Sequence, residues 1–330
     1  MKFLYHPELR VEMWNYGIEI PVRDSRVSKS WSYLSKHSLF NKPLLLDKPS
    51  TNLKKEDFLR VHEDNYIQRL FETNTREEII KVYELIDESG NYNRYNPNDA
   101  KKDLPGILDE IVRVASGTYH AAHSSLTEKF VFYFGGGMHH GHYDHGSGFC
   151  AINDILTAIR KLQAEGFIKT AWIIDVDAHK GDGTAAITAQ DDSITTLSVH
   201  MAEGWPLEPK DNYPNNPAFI PSNIDVPIHS GQEGKYNELL KEALDKLISM
   251  GKPDIALVVD GSDPYEKDEL PSTQCLNLSL EQLLERDILV HKFLQKNNIP
   301  ATFLMAGGYG ESSWQVYTQF FDWLLNQKEN

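Results

Sequence analysis

Over the last two thirds of the chain, short uninterrupted apolar runs alternate with longer segments of helical period. The runs lie in KFVFYF (129–134), TAWIIDVD (170–177), SITTLSVH (193–200), DIALVVDG (254–261) and ATFLMAGG (301–308). Each predicts a strand, and strands apolar at successive positions are buried on both faces. Between them, AINDILTAIRKLQAEG (151–166), GKYNELLKEALDKLISMGK (234–252) and LSLEQLLERDILVHKFLQKNN (278–298) space apolar residues three and four apart, as amphipathic helices do. YTQFFDWLLNQKEN (317–330) predicts a last helix with a frayed polar tail. ILDEIVRVASGTYHAAHSSL (107–126) reads as a helix pair or a broken helix. This alternation predicts an α/β architecture whose mostly parallel sheet is covered on both sides.

The first third follows another pattern. Residues 1–50 carry aromatics and prolines without a long period, which predicts an ordered portion wrapped on a core. KEDFLRVHEDNYIQRLFE (55–72) and TREEIIKVYELIDE (75–88) set Phe58, Tyr66 and Leu70, then Ile79, Ile80, Val82, Tyr83 and Ile86, at spacings that give two helices an apolar face. SGNYNRYNPNDAKKDLPG (89–106) is polar, rich in turn formers, and predicts an exposed loop. No linker composition or internal repeat divides the chain, so residues 1–330 read as one domain.

Composition narrows the partners more than the fold. The 330 residues suffice for a substantial core. Lys and Arg number 33 against 48 Asp and Glu, a formal charge of -15, which opposes direct nucleic-acid binding and favours cationic ligands. With Cys150 and Cys275 alone, a disulfide framework is not expected, and two free thiols fit a reducing compartment. The N-terminal MKFLYHPELRVEMWN breaks its apolar residues with His6, Glu8 and Arg10, unlike a secretion signal. No stretch approaches the roughly 20 apolar residues that cross a bilayer, so a cytoplasmic protein without a membrane partner is expected.

Residues able to do chemistry recur just after the predicted strands: Gly135, then Asp175 and Asp177, His200, Asp260 and Asp263, and finally Gly307 and Tyr309. In a parallel sheet those positions share one edge, so distant segments converge on one pocket. Strand alternation, if it continued, would put Asp175, Asp177 and His179 on one side. Asp177 and His179 supply two ligands for a divalent cation, and Asp263, in a Gly/Ser/Pro loop after another apolar strand, is the best third. Two Asp and one His leave a coordination position open for water, as in catalytic sites, and zinc is the first choice.

Four motifs in this order, GGGMHHGHYDHGSGFCAIND (135–154), DVDAHKGDGT (175–184), GSDPYEKD (261–268) and AGGYG (306–310), resemble those of the zinc-dependent histone deacetylase family, which includes bacterial acetylpolyamine amidohydrolase-like deacetylases. YHPE (5–8) and VHEDNYIQRL (61–70) add weaker similarity. The resemblance implies an arginase/deacetylase-type three-layer α/β fold around a sheet of about eight strands. It implies hydrolysis of an N-acetyl or other short N-acyl amide on a lysine side chain or a small polyamine-like molecule. Its zinc ligands would be Asp177, His179 and Asp263. His139 and His140 would transfer protons, His140 as leading general base, with Asp175 behind His139 and Asp182 behind His140. Tyr309 would stabilise the oxyanion, and Gly148 and Phe149 would line the substrate channel. A structural potassium would sit among Asp175, Asp177, His179, Ser198 and Val199.

The resemblance gives His142 and His145 no catalytic counterpart; they serve local hydrogen bonding, solvent or the pocket rim. Lys180 stands where many relatives carry a second histidine, and GSDPYEKD departs from the commoner Ala-Gly-Phe-Asp form. AEGWPLEPKDNYPNNPAF (202–219) predicts an entrance loop in which Trp205 stacks on substrate or anchors the loop. The competing readings are a deacylase of another small metabolite, an arginase-like two-metal hydrolase and an inactive acyl-lysine-binding scaffold.

Overall fold

A computed structural model describes residues 1–21, 25–208 and 216–327. Residues 209–215 of the expected entrance loop and 328–330 of the expected tail lie outside them. Among the described residues, seven strands form one sheet: β1 (Lys2–Leu4), β2 (Phe130–Tyr133), β3 (Ala171–Asp175), β4 (Ile194–Met201), β5 (Ile224–Ile228), β6 (Ile255–Val259) and β7 (Ala301–Leu304). Their order is β1-β2-β7-β6-β3-β4-β5, and every pairing is parallel. The five apolar runs are β2, β3, β4, β6 and β7. The expected mostly parallel sheet of about eight strands is thus seven parallel strands among the described residues.

The two unforeseen strands are the edges. β1 has three residues, and β5 reads IDVPI with a half-exposed pattern, so neither makes an apolar run. Pro227 is tolerated in β5 because an edge strand leaves one row of N–H groups unpaired anyway.

The long helices are α1 (Thr75–Val82), α2 (Ile107–Glu128), α3 (Asp154–Ala164), α4 (Asp182–Thr188), α5 (Tyr236–Ser249), α6 (Leu280–Lys296) and α7 (Trp314–Asn326). Alternate strand residues serve opposite faces. Trp172, Ile174, Val199 and Phe303 join Leu240, Val290 and Phe320 of α5, α6 and α7 in one core layer. Val131, Ile173 and Leu257 join Ala121 and Ile159 of α2 and α3 in the other.

α2 is one unbroken helix, against the expected pair. Gly117 does not interrupt it; a Cβ there would lie 2.2 Å from the Tyr133 hydroxyl, so the glycine lets helix and strand approach. Segment 55–72 is instead broken, with turns at Lys55–Phe58 and Asp64–Gln68 separated by a loop carrying the buried His62. His62 is drawn inward because its Nδ1 meets the His142 carbonyl at 2.7 Å. α1 stops at Val82, before Glu84 enters the left-handed region with φ 52°. Segment 89–106 is largely a loop, as expected. The N-terminal third forms its own cluster, Tyr16, Phe58, Ile79 and Tyr83 among others, which also takes in Ile152 and Tyr309. It therefore packs against the edge of the sheet where the chemistry-bearing loops emerge.

Candidate active site

β3 and β6 are neighbours, with Asp175 level with Val259. β3 ends at Asp175, so strand alternation does not carry Asp177 and His179. The chain turns instead, and the turn is held by the carboxylates of Asp177 and Asp263. Asp177 accepts the backbone N–H of His179 at 3.1 Å and of Gly307 at 3.0 Å. Asp263 accepts that of Ala178 at 2.9 Å. Three loops, after β3, β6 and β7, are thereby cross-braced.

The result is a cluster in which ligand atoms of Asp177, His179 and Asp263 lie within 4.8 Å of one another, all three residues buried. His179 Nδ1 is 3.2 Å from Asp263 Oδ2 and 3.4 Å from Asp177 Oδ1. Glycine is required around it: a Cβ on Gly261 would lie 2.2 Å from Asp177 Oδ2, and one on Gly307 2.4 Å from the same oxygen. Burial works against a charged His179, but Asp177 and Asp263 outweigh it and raise its pKa to about 10. Burial and the Asp177 charge raise Asp263 to about 6. Two buried carboxylates thus hold a proton on the imidazole between them, a position that a divalent cation fits in exchange for that proton.

Beside this cluster stand two histidine–carboxylate pairs. His139 Nδ1 meets Asp175 Oδ2 at 2.7 Å, and His140 Nδ1 meets Asp182 Oδ1 at 2.6 Å. Their rings are tilted with centroids 3.9 Å apart. Burial disfavours the charged form of both. For His139 it is overcome by Asp175 and Asp177, the latter 3.7 Å from Nε2, so its pKa rises to about 9. For His140, burial and the neighbouring His139 charge win over Asp182, and its pKa falls to about 4. Asp182 is depressed by the two histidines it serves, His140 and His142, despite its burial.

The histone deacetylase domain family matches residues 20–322. The chain belongs to this family. Histone deacetylase 2 of Arabidopsis thaliana is 28% identical over 273 residues, 83% of this chain and 66% of that protein. The acetoin utilization protein AcuC of Staphylococcus aureus (strain MSSA476) is 27% identical over 268 residues, 79% of this chain and 65% of that protein. The matches thus span about 65% of the length of these relatives. The crystal structure of the HDA15 HD domain superposes with a TM-score of 0.70 at 18% identity, covering 99% of this chain and 91% of that one, so the fold is shared.

In this deacetylase-family chain, a cavity runs over His139, His140, Gly148, Phe149, Asp177, His179 and Tyr309. Phe149 stacks on Tyr83 at 6.2 Å and meets Tyr309 edge-on at 6.2 Å. Gly148 has φ 50°, and a Cβ there would lie 2.3 Å from the Trp205 ring and 2.6 Å from His140. Trp205 packs edge-on against His140 at 4.5 Å and His179 at 5.5 Å, so it lies over the chemistry rather than out on the rim. Tyr309 is buried, its backbone N–H held by Asp268 at 2.7 Å, and burial with the nearby Asp263 and Asp177 charges pushes its phenol well above the usual value.

The remaining expected residues divide. Ser198 is level with Asp175 on the neighbouring strand, and its buried hydroxyl has no hydrogen-bond partner among the described residues. Val199 continues that strand in the core. His142 is buried, with Nε2 3.2 Å from Asp182 Oδ2, while His145 is exposed, pairs with Asp144 and stacks on the His142 ring at 4.5 Å. Lys180 is buried too, donating to the carbonyls of Ala218 and Ile220 at 3.0 and 2.8 Å. It ties down the far end of the entrance loop. Asp260, which follows β6 as Asp263 does, is aimed away from the cluster, at Arg286.

Two residues were missed. Ser272 Oγ lies 3.1 Å from His179 Nε2 and fixes the ring from behind; a serine in a polar loop carries no sequence signal. Arg286 did leave one. It falls with Asp287 on the stripe Leu283, Val290, Leu294 of α6, where a solvated helix would put apolar residues, and both are fully buried.

Proposed function

We propose that this protein is a zinc-dependent amidohydrolase that removes an acetyl or other short acyl group from an amine, either a lysine side chain or a small polyamine-like molecule. The observation that carries this reading is the convergence of Asp177, His179 and Asp263 within 4.8 Å, two of which, Asp177 and His179, line a cavity together with His139, His140 and Tyr309. His179 Nδ1 and one oxygen each of Asp177 and Asp263 would hold the ion. Zinc, when bound, supplies a Lewis acid that polarises the acyl carbonyl and acidifies water.

The protein supplies the rest. His140 is neutral at physiological pH, with Nδ1 committed to Asp182, which leaves Nε2 free to accept a proton from the attacking water. His139 is charged, with Asp175 and Asp177 stabilising it, and can give its proton to the departing amine, after which the proton that His140 took from water restores it. The Tyr309 phenol stays protonated and donates to the developing oxyanion, a bond that matters more as charge accumulates. Gly148, Phe149 and Trp205 form close walls suited to an extended methylene chain. A structural potassium among Asp175, Asp177, His179, Ser198 and Val199 is supported by the unpartnered Ser198 hydroxyl.

The charge of -15 favours cationic acylamines over nucleic acid. Two free cysteines fit a cytoplasmic setting, and no described helix is long and apolar enough to cross a membrane. Residues 1–330 are read as one catalytic domain.

The test is release of free amine and acid from acetyl-lysine peptides and acetylpolyamines. Asp177→Ala should abolish turnover and zinc retention together. Tyr309→Phe should lower kcat by about 10²–10³-fold with little change in KM. Full turnover by Asp177→Ala would end the proposal.

A further inference from the structure

Where β3 and β6 end, their ladder ends too. Its last bond runs from Val176 N–H to the Val259 carbonyl at 3.1 Å, and beyond it the strands part to form the two loops that carry Asp177 and Asp263. The carbonyls of Val176 and Gly261 are left buried at this fork. Each would lack a partner if nothing reached them, and a buried acceptor left unpaired is costly. Arg286 reaches both. Its Nη1 donates to Val176 O at 3.0 Å and to Gly261 O at 2.7 Å. Nη2 donates to Asp260 at 3.0 Å and Nε to Asp287 at 2.7 Å.

The two carbonyls stand one residue before Asp177 and two before Asp263. A single planar cation therefore grips both metal-binding loops at their roots, from a helix on the far side of the sheet edge. The third loop is fixed nearby: the Tyr317 hydroxyl is 3.1 Å from Asp260 O and 3.3 Å from Gly307 O. We propose that Arg286 is the positioning residue of the metal site, setting the distance between the Asp177–His179 loop and the Asp263 loop through Val176 O and Gly261 O. The inference rests on the metal-site reading above. Only a guanidinium fits this place: its fork spans two carbonyls and two carboxylates at fixed angles, whereas an ammonium would satisfy one side and leave the other.

The experiment uses the full chain stripped of metal, titrated with zinc against a chromophoric chelator, and with cobalt(II) to read coordination from its visible spectrum. Arg286→Lys keeps the charge and loses the fork. It should bind zinc at least tenfold more weakly, with an altered cobalt spectrum. A merely structural arginine would, on replacement, lower the Tm of the metal-free protein and leave both metal readouts at wild-type values, and that result overturns the inference. If Arg286→Lys does not fold, Asp287→Asn carries the test. It loosens the Nε anchor without touching the carbonyls and should weaken zinc by about threefold, while unchanged affinity overturns the inference. Absence of one zinc per chain in the wild type would instead overturn the metal-site reading itself.

Discussion

His139 and His140 are adjacent in sequence, equally buried and each backed by an aspartate within 2.7 Å, yet their environments drive them to opposite charge states. On the His139 side, Asp177 adds a second carboxylate to Asp175, and the imidazolium is held. On the His140 side the neighbours beyond Asp182 are His139, His179 and Trp205, so nothing further favours a second cation. A like charge 3.9 Å away, centroid to centroid, completes the asymmetry. Two identical side chains differ because His139 faces the carboxylates of Asp175 and Asp177 while His140 faces histidines.

The sharpest way to break this comparison is to remove each ring in turn. His140→Ala should lower kcat by about 10²–10⁴-fold, the range for a lost general base, with zinc content unchanged. His139→Ala should cost less against substrates whose leaving amine is a weaker base, since the demand for an acid falls. Equal losses across a series of leaving groups would remove the division of roles. Next in size is Asp182→Asn, which keeps the shape but takes away the charge behind His140. A loss of about 10–100-fold is expected, the scale for a partner that orients a working imidazole. Measured kcat within twofold of wild type would mean that Asp182 is structural only.

Much of this site was legible because parallel sheets put chemistry in one place. Asp177, His179, Asp263 and Tyr309 all follow apolar strands, and the strand ends meet at one edge. What periodicity could not supply was the turn after Asp175: alternation predicts a straight continuation, whereas Asp177 accepting the Gly307 N–H and Asp263 accepting the Ala178 N–H bend it. Edge strands were hidden because β1 is only three residues long and the half-exposed residues of β5 make no apolar run. Segment 107–126 read as a helix pair or a broken helix, because a sequence does not reveal the tyrosine for which Gly117 leaves room. Asp260 and Asp263 look alike in sequence, and only Arg286 distinguishes them. Charged residues on the buried stripe of α6 were the available clue, and they mark a polar network inside the core.

A last effect, on stability rather than turnover, probes what stands behind the His140 side. Asp182 is shared with His142, and the His142 carbonyl is held in turn by His62, whose Nε2 accepts the Asn153 N–H at 3.0 Å. With one nitrogen accepting and the other facing a carbonyl, His62 is fixed as the neutral Nδ1–H tautomer. Burial lowers its pKa from 6.5 to about 4 despite the carbonyl contact. Its folded-state pKa therefore lies below its unfolded value, so the unfolded chain binds the extra proton first. The stability that neutral His62 contributes is fully present above about pH 6.5 and is lost as pH falls toward 4. Fully expressed, a shift of this size corresponds to on the order of 3 kcal/mol. Carboxylates with raised pKa values, Asp263 at about 6 and Asp268 at about 7, slope the other way over part of this range, so the raw profile mixes the two. The difference between wild type and His62→Gln isolates the histidine. Chemical denaturation of the metal-free proteins should show His62→Gln less stable at pH 7, with the gap closing by pH 4. A gap that stays constant across that window would mean that His62 titrates alike in the folded and unfolded chains, and that the neutral layer behind His140 is not what keeps that side of the site uncharged.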